Sequence, residues 1–367
     1  MKTSTDRILT THTGSLPRPA SLTDRHDESQ VRAAVAETVQ RQLAAGVDVI
    51  NDGEVSKPSY ATYVQERLTG FGGDPVPMAQ RGFEEFPEFA ARMAGDPDMA
   101  AVFFNPACVG PVAYQDTAQV AADIANLTAN AGGATDVFMS AASPGVISMF
   151  MPNQYYPSEE GYLLALANAM KTEYDAIAQA GLVLQLDCPD LAASFAIGPQ
   201  VTTGEFRRKV SARLEALDHA TRDIPADRLR MHLCWGNYEG PHQLDIPLAD
   251  IIDLVLAARP SAVSFEAANP RHEHEWALFE DTKLPAGKVL IPGVLDSTTN
   301  YIEHPELIAQ RIGRYADLVG RENVLAGSDC GFATFSSFIP VDPKITWAKL
   351  AAMSEGARLA SDRLWGR

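Results

Sequence analysis

Eight short apolar runs, each closing on polar residues, set the strongest constraint on what this chain can fold into. They are Ile8–Gly14, Val47–Gly53, Asp136–Ala142, Leu182–Asp187, Leu229–Cys234, Ala262–Glu266, Val289–Leu295 and Asn323–Asp329. Runs of this length, bounded by turn residues, are expected of strands buried on both faces. Helical spacing fills most of the intervals. Ser29–Ala45 carries Val31, Val35, Val39 and Leu43, and Glu159–Ala180 carries Leu163, Leu166, Met170 and Tyr174. Gly46 and Gly181 follow them, as suits a left-handed helix stop. Glu205–Thr221, Leu248–Ala258, Pro305–Val319 and Ile345–Ser361 complete the helices. Strand and helix in alternation predict a parallel sheet with right-handed crossovers. The count of strands favours an α/β fold of the (β/α)8 TIM-barrel type over an open doubly wound sheet.

The rhythm breaks once. Residues 55–135 contain only weaker signals, more than an ordinary connection needs. Gly70–Pro77 reads as a Gly/Pro-rich loop and Cys108–Tyr114 as a hairpin strand. We expect this stretch to pass over the barrel mouth and shape a pocket. Without linker composition or charge blocks, 1–367 reads as a single barrel domain of 367 residues.

Composition excludes several classes. A net charge of -17, with no Lys/Arg cluster, argues against a nucleic-acid or anionic-membrane partner. No apolar run is long enough for a transmembrane helix, and the N-terminus lacks the apolar stretch of a signal peptide. A cytoplasmic enzyme is expected. The cysteines, Cys108, Cys188, Cys234 and Cys330, are too scattered for a disulfide framework.

Barrel enzymes place their chemistry at the C-terminal ends of the strands. Those ends present Thr13, Gly14 and Ser15; Asp52 and Glu54; Asp187; His232 and Cys234; Glu266; Asp296; and Asp329 and Cys330. His232 and Cys234 are two apart on a strand, so an imidazole and a thiol share one side. Alone, such a pair is usually structural. Cys330 and Glu266, each ending another strand, add a second thiol and a carboxylate. Sulfur and imidazole donors suit zinc better than magnesium or calcium, which prefer oxygen.

These residues lie in recognisable motifs: HLCWGN at 232–237, VSFE at 263–266, PGVLD at 292–296 and GSDCGF at 327–332. Upstream stand TGSLPRP at 13–19, NDGE at 51–54, SPGVIS at 143–148 and LQLDCPD at 184–190. In this order they resemble the catalytic domain of the cobalamin-independent methionine synthase family. The resemblance implies zinc held by His232, Cys234, Glu266 and Cys330. It also implies an amino-acid thiol pocket with Thr13, Gly14 and Ser15, where Ser15 and its amide meet the carboxylate. Glu54 and Asp187 would hold the amino group; otherwise they are strand-end caps. Two acids at neighbouring strand ends suit an ammonium. Zinc would deprotonate a small thiol, first of all homocysteine, for attack on an alkyl or methyl donor. Glu266 or a water would be the ligand that yields.

The pattern departs from the family twice. The chain has no room for the second, N-terminal barrel that helps hold folate. Asp296 is followed by Ser297, Thr298, Thr299 and Asn300, with no histidine to protonate a folate leaving group. The chain is also similar to epoxyalkane:coenzyme M transferase, whose sulfonate would want a cation. Arg18 and Lys57 are the candidates; otherwise both are surface charges. A structural zinc in a non-catalytic protein is the third reading. A homo-oligomer and a corrinoid carrier protein stay open as partners.

The remaining candidates read more plainly. Cys188 and Cys108 are core filler. His272 and His274 fit a solvated helix end. His12 is poised between pocket and core. Trp235 and Tyr238 wall a pocket or pack. Tyr155 and Tyr156, in the loop Met151–Ser158, either close over the electrophile or lie exposed.

Overall fold

The computed structural model describes residues 1–78, 82–94, 104–193 and 201–366. Seven parallel strands form one sheet, neighbour to neighbour: β1 (Val49–Ile50), β4 (Asp136–Ala142), β5 (Val183–Asp187), β6 (Leu229–Leu233), β7 (Ala262–Phe265), β8 (Val289–Leu295) and β9 (Gly327–Ser328). The remaining two, β2 (Phe71–Pro77) and β3 (Phe104–Cys108), form an antiparallel ribbon apart from it.

Residues around Thr10 close the circle. Thr10 bridges Ala326 in parallel, with Thr11 N donating to Ala326 O at 2.8 Å and Ala326 N to Leu9 O at 2.9 Å. On the other side Val49 N donates to Thr10 O at 3.0 Å. The first apolar run thus joins β1 to the last strand and completes a TIM barrel.

Most expected helices form within a residue or two, and the shifts have local causes. Thr202 and Glu205 make a reciprocal capping box, so that helix starts at Thr203 and runs to Ala220. Asp342 caps Lys344 and Ile345 with Pro343 in the first turn, which draws the last helix out to Pro343–Trp365. The expected Leu248–Ala258 helix instead splits into a 3-10 turn, Leu248–Asp250, and a short helix, Ile252–Ala257.

The 55–135 stretch holds the corrections. Ala118–Asn130 is a helix, the crossover between β1 and β4. Its alanine-rich face buries few large residues, chiefly Val120 and Leu127, and so sends a weak periodic signal. Gly70–Pro77 is largely strand, because a two-stranded ribbon tolerates proline and its register shift between Gly72 and Val76 takes up Gly73–Pro75. The expected Cys108–Tyr114 strand lies earlier, at Phe104–Cys108. Tyr114 makes only an isolated bridge with Leu68.

Inside the barrel the floor is apolar, packed by Leu9, Val49, Phe138, Val183, Ile291 and Leu325. Above it lies a polar layer. Arg230, fully buried, donates to Gln185 Oε1 at 2.7 Å, Thr11 Oγ1 at 3.0 Å and His12 O at 2.6 Å. Its guanidinium also covers the Phe138 ring at 3.8 Å. Burial lowers it to about 9. Among the described residues no helix is long and apolar enough to cross a membrane.

Candidate functional site

Parallel register carries functional groups to one level. Asp187 pairs with His232, and His232 with Ser264, so the ends of β5, β6 and β7 stand side by side. Cys234 follows β6 and Cys330 follows β9. One ligand atom each from His232, Cys234 and Cys330 lies within 4.8 Å of the others, and all three residues are buried. Both ring nitrogens of His232 lack a hydrogen-bond partner. Buried polar atoms nearly always have one, so an orphaned imidazole calls for a ligand. Burial pushes His232 down to about 3, leaving the ring neutral with a lone pair to donate. A hydrogen bond shared with Cys234, then burial, raise the Cys330 thiol well above its ordinary value. A neutral imidazole beside two thiols is a donor set for a borderline metal ion.

Glu266 is turned into a separate hydrogen-bonded clamp. Its carboxylate accepts from Trp235 N at 2.7 Å and Asn269 Nδ2 at 2.7 Å. Burial and the charge of Cys234 raise it. Asp329 fixes this turn from below, accepting from Ala267 N and Ala268 N at 2.8 Å and from Asn269 N at 2.8 Å. The structure therefore gathers three of the four expected ligands, while Glu266 is committed to Trp235 and Asn269 and falls outside the group.

His232, Cys234 and Cys330 line a cavity that they share with Thr13, Ser15, Glu54 and Asp187. Glu54 is the one non-glycine residue with positive φ, 55°, among the described residues. Such a conformation is strained outside glycine and is often kept for function. Asp52 Oδ1 braces it by accepting from Glu54 N at 3.0 Å. Glu54 Oε1 accepts from Ser140 Oγ at 2.7 Å, whereas Oε2 is buried without a partner. A Cβ on Gly14 would collide with Glu54 Oε1, so glycine is required there. Asp187 Oδ1 accepts from Gln185 Nε2 at 2.8 Å. Burial and the neighbouring Glu54 charge push the Asp187 carboxyl well above its ordinary value. Thr13 spends its hydroxyl on Ser328 O at 3.1 Å, tying the first run to the last strand.

Several cavity residues escape sequence reasoning. Asn237 donates to Gly331 O at 2.8 Å and accepts from Ser297 Oγ at 2.7 Å, linking three loops. Its place within HLCWGN was the available signal. Tyr60, Phe150 and Phe335 form an aromatic wall, with Met78 and Phe83 from the β2–β3 region beyond it. Nothing periodic marks them, since each sits on a different connection.

Other candidates fall elsewhere. His12 is a core residue, bonded through Nε2 to Gln42 Oε1 at 2.8 Å, and burial lowers it to about 4. Lys57 is no surface charge: it is buried, donates to Ser140 O at 2.6 Å and covers the Tyr63 ring. Arg18 is half-buried and donates to Lys57 O at 2.5 Å. Neither lines the cavity. Cys188 and Cys108 lie in the core. His272 is not solvated: it stacks on Trp235 at 4.1 Å and bonds Glu275 and Asp245. His274 is exposed. Trp235 packs, donating to Ile246 O at 2.7 Å, while Tyr238 reaches the cavity. Tyr155 is exposed and Tyr156 stacks on Tyr162, so the cavity takes Met149 and Phe150 instead. Asp296 is absorbed by its own turn, accepting from Thr298 N at 2.9 Å and Thr299 Oγ1 at 2.7 Å.

Comparison with known proteins gives a consistent picture. Residues 84–358 match the family described as cobalamin-independent synthase, catalytic domain. A methionine synthase of Saccharolobus solfataricus is 24% identical over 373 aligned positions, covering 97% of this chain and 96% of the relative. One from Sulfurisphaera tokodaii is 22% identical, covering 97% and 94%. Among solved structures, a B12-independent methionine synthase from a Shewanella species superposes with a TM-score of 0.75 at 19% identity, covering 98% of this chain and 100% of the other. A Listeria monocytogenes protein described as a putative vitamin-B12 independent methionine synthase superposes with a TM-score of 0.64 at 17% identity, covering 98% and 100%. At these identities the superpositions speak for the fold.

Proposed function

This chain belongs to the cobalamin-independent synthase family through its catalytic domain, and on that premise we propose that it transfers a methyl group to a small thiol, homocysteine first, with zinc as its metal. One observation carries the reading. The His232–Cys234–Cys330 cluster, with its orphaned imidazole, shares a cavity with Glu54 and Asp187. The curated relatives, named methionine synthases, support the same acceptor.

The donor set fits zinc: two sulfurs and a neutral imidazole, with Glu266 as the exchangeable fourth once its carboxylate leaves Trp235 and Asn269. Bound zinc supplies a thiol in its nucleophilic thiolate form. The chain's own residues do the rest. Glu54 Oε2, without a partner, and Asp187 accept the substrate ammonium, whose charge relieves their mutual repulsion. Ser15 and its amide meet the carboxylate. The aromatic wall keeps water away from the sulfur, and fixed orientation supplies much of the rate.

A sulfonate-bearing thiol is less well served, because Lys57 is committed to Ser140 O and Tyr63 and neither it nor Arg18 lines the cavity. A purely structural metal would be closed off, whereas this cluster opens into a cavity. The deciding experiment is metal analysis with thiol titration on one sample, following proton release. About one zinc per chain, with proton release on homocysteine and none on coenzyme M, is expected. Protein purified without chelators that holds no zinc, or zinc-loaded protein that ignores every thiol, would overturn the reading.

A further inference from the structure

Three rings pack together in the cavity wall, with Tyr60 edge to face against the other two. Tyr60 stands 5.9 Å from Phe150 and 5.9 Å from Phe335, at interplanar angles of 90° and 80°. Phe150 and Phe335 lie 6.1 Å apart, tilted at 43°. All three line the cavity that also holds Cys234, Cys330 and Asp187. Among the described lining residues there is no lysine or arginine, while Glu54 and Asp187 are present.

Ring faces carry negative charge, and rings set at steep angles to one another surround a methylated cation from several sides. Among the described lining residues no lysine or arginine offers an anionic donor a counter-charge. We propose that the alkyl donor at this site is a small methylsulfonium compound, held by the rings of Tyr60, Phe150 and Phe335 with one methyl turned toward the substrate sulfur. The proposal rests on the thiol-transfer reading above.

The chemistry balances without a proton. The thiolate sulfur gives a lone pair to the methyl carbon, and a new C–S bond forms. The sulfonium C–S bond breaks, and its electron pair returns to the donor sulfur, which leaves as a neutral thioether. A negative and a positive charge cancel, so no acid is needed. That agrees with the loop after β8, where Asp296 is absorbed by Thr298 and Thr299 and residues 296–300 include no histidine.

The cage is tested first by calorimetric binding of choline against 3,3-dimethylbutan-1-ol, which share a shape and differ in charge. Wild-type protein should bind choline at least about tenfold more tightly. Phe335→Leu and Phe150→Leu should each cut that preference to about threefold or less while zinc content stays unchanged. Zinc-loaded protein with homocysteine should then yield methionine from trimethylsulfonium. Equal binding of the two probes would overturn the proposal. So would methionine formed from methyltetrahydrofolate or methylcobalamin with none from trimethylsulfonium. Homocysteine proton release, measured on the same sample, separates the two levels. If it is absent while the choline preference persists, the thiol reading fails and takes the transfer step with it. If it is present without that preference, only the sulfonium donor is lost.

Discussion

Two buried polar clusters in this barrel make opposite use of burial. In one, Arg67 pairs with Asp123 at 2.5 Å and Glu173 at 3.1 Å, and Glu173 accepts from Tyr63 and Tyr114 at 2.6 Å each. Burial works against the Glu173 charge, but Arg67 and Lys57 outweigh it and hold the carboxyl below its ordinary value. The charges there have found partners within the chain. In the other, both nitrogens of His232 and one oxygen of Glu54 have no partner, and Asp187 and Cys330 are pushed toward their neutral forms. A satisfied cluster holds structure together; an unsatisfied one waits for a ligand. Sequence alone ranks them poorly, since both are made of ordinary charged residues.

The contrast can be broken in order of effect. Cys330→Ser should abolish zinc binding and lower methyl transfer about a thousandfold or more, in keeping with the several kcal/mol a metal supplies. Its urea midpoint, compared with chelated wild type, should move little. A large drop there would make the cluster structural. Arg67→Met should do the reverse. It strands two buried carboxylates and should cost about 3–5 kcal/mol of stability, read by urea denaturation. Zinc content of the folded fraction should be retained.

Glu54→Gln sharpens the comparison within the site. Loss of a charged hydrogen bond worth about 1.5–3 kcal/mol should raise KM for homocysteine about ten- to a hundredfold. Zinc content should not change, and an unaltered KM would remove the ammonium role. The smallest effect is expected at His272, another satisfied group. Burial alone would lower its pKa, yet hydrogen bonds to Asp245 and Glu275 raise it from 6.5 to about 10. With the folded value raised, its stabilisation is complete below 6.5 and is lost as pH climbs through about 10. His272→Asn should flatten the fall of the urea midpoint across that window. A slope matching wild type would show that His272 is not the titrating group.

Legibility followed physics. Strands buried on both faces must be apolar throughout, so β4 through β8 announce themselves as runs. The helix Ala118–Asn130 does not, because alanine packs closely without contributing a strong apolar signal. The strand Phe71–Pro77 carries residues that ordinarily forbid one, and only its place in a two-stranded ribbon permits it. Lys57 and His272 read as solvated charges, since no local pattern reveals a carbonyl or carboxylate arriving from a distant segment. The hydrogen bonds that turn Glu266 toward Trp235 and Asn269 are invisible for the same reason.

By itself, the sequence determined the order of strands, the barrel class and the kinds of donor available at the strand ends. Period-two geometry settles that His232 and Cys234 share a side whatever the rest of the chain does. Tertiary structure decided which of those donors meet. Cys330 reaches His232 because the sheet curls back on itself from β6 through β7 and β8 to β9. The aromatic wall likewise draws Tyr60, Phe150 and Phe335 from three separate connections. Local periodicity encodes which way a side chain faces, whereas contact between distant segments depends on how the whole sheet curls and closes.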